Sequence, residues 1–399
     1  MSPKQKEPQF DTVIIRFGGE IGIKAAWTRK LYERRLASNI KATLKQHATP
    51  YETLNRKFGR LYLKTLWAED ASQKLTKVFG VSSVSPALEI SSKLSDITQD
   101  SVRIAGSILR EGSSFAVSCR RVGQHDYTSQ DVCREVGRQI LHTYAGRRLR
   151  VNLKHPETTI NVEVRENKAY IYTGVIKGPG GMPLGSQPKV VCLLNGDINS
   201  LAACWMVMKR GCPVLPLHFA ETPSKDNGTS QTVKVAKALF EWAAGFPRNV
   251  YVVSHGSNMK KIDDNCSKKL RRILSKRMMY RIAEQLGEKQ NAEGIVTGES
   301  LNKPAHEALH ILRLQDEAVA RLPVHRPLIG LDTSEIEELA EKISDNEKSF
   351  VQEMKKRKAI SKLRALKEVM LEEVKEGEAK LPVERMVETS LKSLRIITL

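Results

Sequence analysis

The run Lys189-Val190-Val191-Cys192-Leu193-Leu194, then Asn195-Gly196-Asp197-Ile198-Asn199-Ser200, then Leu201-Ala202-Ala203-Cys204, decides the fold of the C-terminal half of the chain. The first six residues are near-continuously apolar, as a parallel strand buried on both faces requires. A short polar loop with one glycine follows, and after it a helix predicted over Ser200 to Arg210. In an open α/β sheet, ligands bind beyond the carboxyl ends of the strands. A loop there that opens a helix presents backbone N–H groups and a positive dipole end, which suits phosphate. No Gly-Lys-Ser/Thr follows, so this is not a Walker loop. Taken alone, it is equally a tight βα turn with a polar cap.

Working outward, strands predicted at 214–219, 250–254 and 294–298 alternate with helices at 233–244 and 270–287. That alternation reads as a doubly wound α/β domain over 186–345. Gly178-Pro179-Gly180-Gly181-Met182-Pro183-Leu184-Gly185 has linker composition, and the linker is placed at 179–185. Residues 1–95 follow a βαββαβ rhythm, which predicts a ferredoxin-like α+β unit. Its long helix is expected to bury Leu31, Leu36, Ile40 and Leu44. Residues 96–178 form a further α+β unit, whose helix from Ser129 is capped by Thr128 or Ser129. Residues 346–399 read as a charged helical tail.

The chain has 399 residues, 40% of them hydrophobic, and a formal net charge of +20. That apolar content supports real cores and excludes global disorder. The positive charge concentrates in residues 24–60 and again from Lys260 to Arg281, which fits a polyanionic partner. Six cysteines without C-x-x-C spacing read as reduced thiols of a cytoplasmic protein rather than a disulfide framework. No stretch approaches the ~18 apolar residues of a membrane span. Aromatics are only 6%, and no stacking platform is evident in the sequence.

Several short strings, in order, resemble the tRNA 4-thiouridine synthases. The loop 195–200 resembles their PP-loop, Ser-Gly-Gly-x-Asp-Ser. Arg16-Phe17-Gly18-Gly19-Glu20-Ile21-Gly22-Ile23-Lys24 resembles the family's N-terminal signature, and Val78-Phe79-Gly80-Val81 the end of that domain. Val151-Asn152-Leu153 with Pro156 resembles a THUMP RNA-binding module. Lys276-Arg277-Met278-Met279-Tyr280-Arg281 and Val296-Thr297-Gly298-Glu299-Ser300-Leu301 resemble later catalytic-domain motifs. The resemblance implies adenylation of a tRNA uridine by ATP with Mg²⁺, then displacement of AMP by sulfur from a persulfide.

It also implies site residues. Nucleotide would be held by Asn195, Gly196, Asp197, Asn199, Ser200, Gly298 and Glu299. Lys276 and Cys266 are the catalytic candidates, Cys266 with a thiolate stabilised by Lys268, Lys269, Arg271 and Arg272. Lys24, Arg29, Lys30, Arg34, Arg35, Asn152 and Lys154 would hold tRNA, with Arg120, Arg121, Arg147, Arg148 and Arg150 adding charge. The partners implied are tRNA, a sulfur-donor protein or an active paralogue, and a second copy in a homodimer.

The chain departs from the pattern in three places. Asp197 replaces a loop glycine and Asn199 the loop aspartate, so the PP-loop reads as degenerate. A carboxylate ~4 Å from a phosphate charge is repelled by about 4 kcal/mol at an effective dielectric of ~20. The family's catalytic cysteine after the helix at Glu337–Ile343 is missing, and Arg272 and Ser275 stand where many archaeal members have C-x-x-C. Asn302 and Lys303 replace Gly-Gln. Three readings therefore stay open: a tRNA-binding member with impaired or partner-dependent chemistry, an active atypical sulfurtransferase, and an RNA scaffold without ATP chemistry.

Overall fold

The computed structural model describes residues 10–57, 59–220, 227–301, 305–344, 351–352 and 369–399, which divide into two compact units, 1–181 and 182–399. Asn302 and Lys303 lie outside the described residues.

In the first unit, β1 (Thr12–Phe17), α1 (Gly19–Gly22), α2 (Ala26–Gln46), β2 (Thr53–Lys57), β3 (Arg60–Lys64), α3 (Ala68–Leu75) and β4 (Val81–Ser91) realise the ferredoxin-like order. Then come α4 (Leu94–Ile108), β5 (Ser114–Val122), α5 (Ser129–Thr143), β6 (Arg150–Val151), β7 (Thr158–Arg165), β8 (Lys168–Tyr172) and β9 (Ile176–Lys177). The strands make one nine-stranded sheet, β2-β3-β1-β4-β8-β7-β5-β6, with β9 on β4. The long β4 is shared. Val81 to Ala87 pair with β1, and Leu88 to Ser91 pair with β8.

Alternation along the strands sorts this sheet's two faces. Ile160, Val162, Val164, Ala169 and Ile171 pack with Ile97 and Ile104 of α4 and Val132, Val136 and Ile140 of α5. The opposite residues Glu163, Arg165, Tyr170 and Tyr172 face Arg16, Arg60 and Tyr62. Strands β3 and β7 are separated by β1, β4 and β8, roughly 19 Å in a flat sheet. Yet Arg60 bonds Glu163, and Tyr62 stacks on Tyr170 with ring centroids 4.7 Å apart. The sheet is therefore strongly curled, and this polar-aromatic cluster fills its concave side.

Leu36, Ile40 and Leu44 of α2 are buried as expected, but Leu31 is exposed. Five residues from Leu31 to Leu36 turn the helix about 500°, which leaves Leu31 well off the core face. The strand expected at 149–153 pairs only over two residues, and that at 169–176 breaks into β8 and β9. The capping box at Thr128 and Asp131 opens α5.

In the second unit, β10 (Lys189–Leu193), α6 (Ile198–Lys209), β11 (Val214–Ala220), α7 (Asn227–Phe240), β12 (Asn249–Ser254), α8 (Gly256–Asn265), α9 (Arg271–Lys289) and β13 (Ala292–Val296) make the α/β alternation. They are followed by α10 (Ala305–Asp316), β14 (Val324–His325), α11 (Thr333–Ile343), α12 (Leu371–Ala379), α13 (Val383–Lys392) and β15 (Arg395–Thr398). The six-stranded order is β14-β13-β10-β11-β12-β15. All pairings are parallel except the antiparallel β15 on β12. The direction of winding reverses between β10 and β13, so the crevice beyond their carboxyl ends is the topological switch point.

The described part of the C-terminal segment is integral to this unit, not a free tail. Val374, Leu381, Met386 and Val387 join the core of α9 and the sheet. The buried Arg277 guanidinium donates to Glu378 at 2.8 Å, and Arg281 donates to the same carboxylate at 2.9 Å. The terminal strand β15 covers what would otherwise be the open edge of β12. Among the described residues no helix is long and apolar enough to cross a membrane.

Candidate functional site

The loop between β10 and α6 lies at the switch point, and its geometry follows from three residues. Gly196 has φ +72°, and a Cβ there would meet the Thr232 backbone nitrogen of α7 at 3.0 Å. Glycine is the residue that both the conformation and the space admit. Asp197 is the N-cap of α6, its carboxylate accepting the Ser200 backbone N–H at 2.7 Å. Ser200 is buried, and its hydroxyl donates to the Asp197 carbonyl at 3.0 Å and accepts the Asn195 N–H at 3.3 Å. Asn195 is exposed beside them.

The loop after β13 meets this one directly. Asn199 Nδ2 donates to the Gly298 carbonyl at 3.2 Å. A Cβ on Gly298 would lie 2.7 Å from both the Asn199 carbonyl carbon and the Ser200 nitrogen. Close approach of two backbones therefore requires glycine at 298 as well. The Asn199 amide thus ties the two loops together across the crevice.

Glu299, one residue on, anchors a partly buried ionic network. Lys276 Nζ of α9 lies 3.5 Å from its carboxylate and donates to Thr297 Oγ1 at 3.3 Å. Tyr280 donates its hydroxyl and Arg326 its Nε–H to Glu299 Oε2, each at 2.9 Å. Arg326 also donates to Asp316. Burial alone would raise the Glu299 carboxyl, but Lys276 and Arg326 outweigh it and hold it below the usual range. Burial, with the Glu299 charge beside it, pushes the Tyr280 hydroxyl well above its ordinary value. The network fixes Lys276 at the crevice as a cation whose position is set before any ligand arrives.

Sequence reasoning missed Thr232, His218, Tyr280, Asp316 and Arg326. His218 of β11 sits between the Leu194 carbonyl (3.0 Å) and Thr232 Oγ1 (3.1 Å), behind the same loop. Its place at the end of an apolar strand was the available signal. Arg326 carried none, because its partners come from α9, α10 and the loop after β13.

Cys266 stands at the C-terminal end of α8. Its thiol donates to the Gly377 carbonyl at 3.3 Å, and burial raises it despite Lys380 nearby. Of the cations expected to activate it, Lys269 pairs with Glu373 and Arg271 with Asp263. At the C-x-x-C positions, Ser275 Oγ lies 3.0 Å from Nε2 of the buried His255, which burial holds neutral with a pKa of about 4.

In the basic zone at 260–281, Lys269, Arg271, Lys276, Arg277 and Arg281 pair within the protein, with Glu373, Asp263, Glu299 and Glu378. In the first unit, Lys24, Arg29, Lys30, Arg34 and Arg35 are all exposed, but they do not share one face. Arg29 points to the buried Glu33 at 3.9 Å, which Arg56 holds at 2.9 Å. Asn152 accepts the backbone N–H groups of Lys154 and His155 at 3.1 and 3.0 Å. It therefore shapes the turn that exposes Leu153 and Lys154. Arg147 and Arg150 likewise donate to backbone carbonyls of the first unit.

Comparison with known proteins finds matches in both units. Residues 185–383 match the family model described as Thiamine biosynthesis protein (ThiI), 91–173 the THUMP domain, and 12–85 the ThiI ferredoxin-like domain. A "Probable tRNA sulfurtransferase" of Methanosarcina acetivorans is 35% identical, over 98% of this chain and 95% of its own. The chain belongs to the tRNA sulfurtransferase family. A further member from Saccharolobus islandicus is 34% identical over 95% of this chain and 98% of its own. A solved 4-thiouridine synthetase, in complex with RNA and bound ATP, superposes with a TM-score of 0.84 at 25% identity, covering 98% of this chain and 100% of its own. The fold expected from sequence, ferredoxin-like and THUMP modules with a doubly wound PP-loop domain, is that of this family. A role in tRNA thiolation follows from membership.

Proposed function

We propose that the chain activates a tRNA uridine with ATP for replacement of its oxygen by sulfur, forming 4-thiouridine, and takes the sulfur from a donor other than its own cysteines. The observation that carries this reading is the meeting of the 195–200 loop with Gly298, Glu299 and Lys276 at the switch point. Two backbone approaches that only glycine permits, at 196 and 298, make a cradle suited to phosphates. Asn195, Gly196, Ser200 and Gly298 would hold the nucleotide, and Lys276 would face its phosphates. Bound ATP supplies an electrophilic phosphorus that turns the uridine oxygen into a leaving group. Glu299 keeps Lys276 in place. Asp197 serves as the helix cap, so its carboxylate is directed to Ser200 N–H and its repulsion of phosphate is reduced. Magnesium would enter on the nucleotide's own phosphates, where it keeps several waters.

The sulfur source is argued from the thiols. Burial raises Cys119, Cys133, Cys192, Cys212 and Cys266. Raised thiols are poor nucleophiles and poor persulfide carriers at neutral pH. A donor protein or sulfide in the cytoplasm fits better. The direct test of activation is tRNA-dependent exchange of pyrophosphate into ATP by the purified protein. Exchange that needs tRNA and is lost in Lys276→Met supports the reading. Binding of tRNA without exchange would favour a member that only holds its substrate.

A further inference from the structure

Helix α2 is longer than the strands it covers. Its 21 residues span about 31 Å, against roughly 20 Å for the six residues of β1. All of its buried residues lie from Glu33 onward, so its first turns have no core to cover. That overhang carries Trp27, 77% exposed, with Leu31 one turn on and Ile23 just before it.

At 100° per residue, Trp27, Lys30, Leu31 and Arg34 fall within about 100° of arc, centred roughly opposite Leu36. Lys41 and Lys45, also exposed, continue the same line. The only acid in α2 is Glu33, which is buried and paired to Arg56 at 2.9 Å. The face is thus an exposed indole at the head of a row of four cations.

We propose that Trp27 stacks on an unpaired base of the bound tRNA while Lys30, Arg34, Lys41 and Lys45 follow its phosphates. The proposal rests on the reading that tRNA is the substrate. Charge complementarity selects this occupant. A second copy would set like charges against each other across a two-fold interface, and protein interfaces are depleted in lysine at their centre. Structured RNA is held by phosphate contacts and by stacking of splayed bases on aromatic side chains.

The test uses the full chain and an intact tRNA transcript. Trp205 and Trp242 are buried, so in a Trp67→Phe background Trp27 is the exposed fluorophore. Quenching on titration with tRNA is expected. Trp27→Ala should weaken binding roughly 5- to 150-fold, the range of one lost stacked base, with the salt dependence unchanged. Trp27→Phe should restore most of it, which separates stacking from misfolding. Lys30→Ala or Arg34→Ala should instead lower the salt slope by about 0.7–0.9. Wild-type affinity in Trp27→Ala, together with unquenched Trp27, overturns the proposal, including the case where Trp27→Ala loses a protein partner or self-association instead. Absence of tRNA binding by the wild type overturns the substrate reading and this inference together.

Discussion

Asp197 Oδ1 accepts the Ser200 backbone N–H at 2.7 Å, so this carboxylate closes the first turn of α6. Asparagine caps as well as aspartate but carries no charge. Asp197→Asn should leave the melting temperature unchanged and tighten ATP binding about tenfold, roughly a third of the ~4 kcal/mol repulsion at an effective dielectric of ~20. Asp197→Ala should cost about 1 kcal/mol, a fall of about 2–4 °C in Tm. Calorimetric titration and thermal melts read both. Weaker ATP binding in Asp197→Asn would mean that the carboxylate acts through a metal.

Gly298 tests the meeting of the two loops. An alanine there places Cβ 2.7 Å from the backbone at Asn199 and Ser200. Gly298→Ala should cost about 1–3 kcal/mol, the usual range for overpacking. ATP affinity should fall at least tenfold, while tRNA binding through the first unit is kept. Equal loss of both ligands would contradict the separation of roles.

The Glu299 network has a pH signature. Its carboxyl is held below the ordinary range, with burial opposed and outweighed by Lys276 and Arg326. Stability from this shift is complete above the unfolded carboxyl value near 4.3 and is lost as pH falls through the lower folded value. Glu299→Gln should flatten that acid limb of the stability curve and cost about 1.5–3 kcal/mol at pH 7, the range for hydrogen bonds to a charged group. An unchanged acid limb, measured by denaturant unfolding from pH 3 to 7, would remove Glu299 from the account.

The C-terminal segment is predicted to be essential to the second unit. Glu378 neutralises Arg277, which is 2% exposed. Glu378→Ala should destabilise by about 3–5 kcal/mol, because it strands a buried cation. Ending the chain at 368 should leave the second unit insoluble, since it also uncovers the β12 edge. A soluble, ATP-binding truncation would refute this.

Much of this architecture was legible because apolar periodicity marks buried elements. The runs at 189–194 and 214–219 read as parallel strands and are β10 and β11. What escaped was amphiphilic or non-local. Thr53–Lys57 and Arg395–Thr398 are largely exposed edge strands with no alternation to betray them. Gly256–Asn265 is a polar helix with two buried residues. The site split the same way. Its loop was visible as a motif, whereas the Lys276–Glu299–Arg326 network depends on residues brought together from separate elements. The internal pairings of basic residues were also hidden, since Arg147, Arg277 and Arg281 read in sequence only as charge but hold carbonyls or Glu378 in the fold.

Cys266 should prove dispensable. Its thiol is raised by burial and donates to Gly377. Cys266→Ser should keep at least half of the thiolation rate when sulfide is supplied, and the wild-type thiol should alkylate slowly at pH 7 and faster as pH rises. Rapid labelling at neutral pH would reinstate it as a sulfur carrier.

The central claim is ATP-driven thiolation with sulfur from outside the chain. Its most direct measurement is 4-thiouridine, quantified by mass spectrometry in a tRNA transcript incubated with the purified protein, ATP and sulfide. The account predicts 4-thiouridine with the wild type and with Cys266→Ser, and none without ATP or with Lys276→Met. No product from a wild type that binds the tRNA, with sulfide or with a persulfide donor, would contradict it.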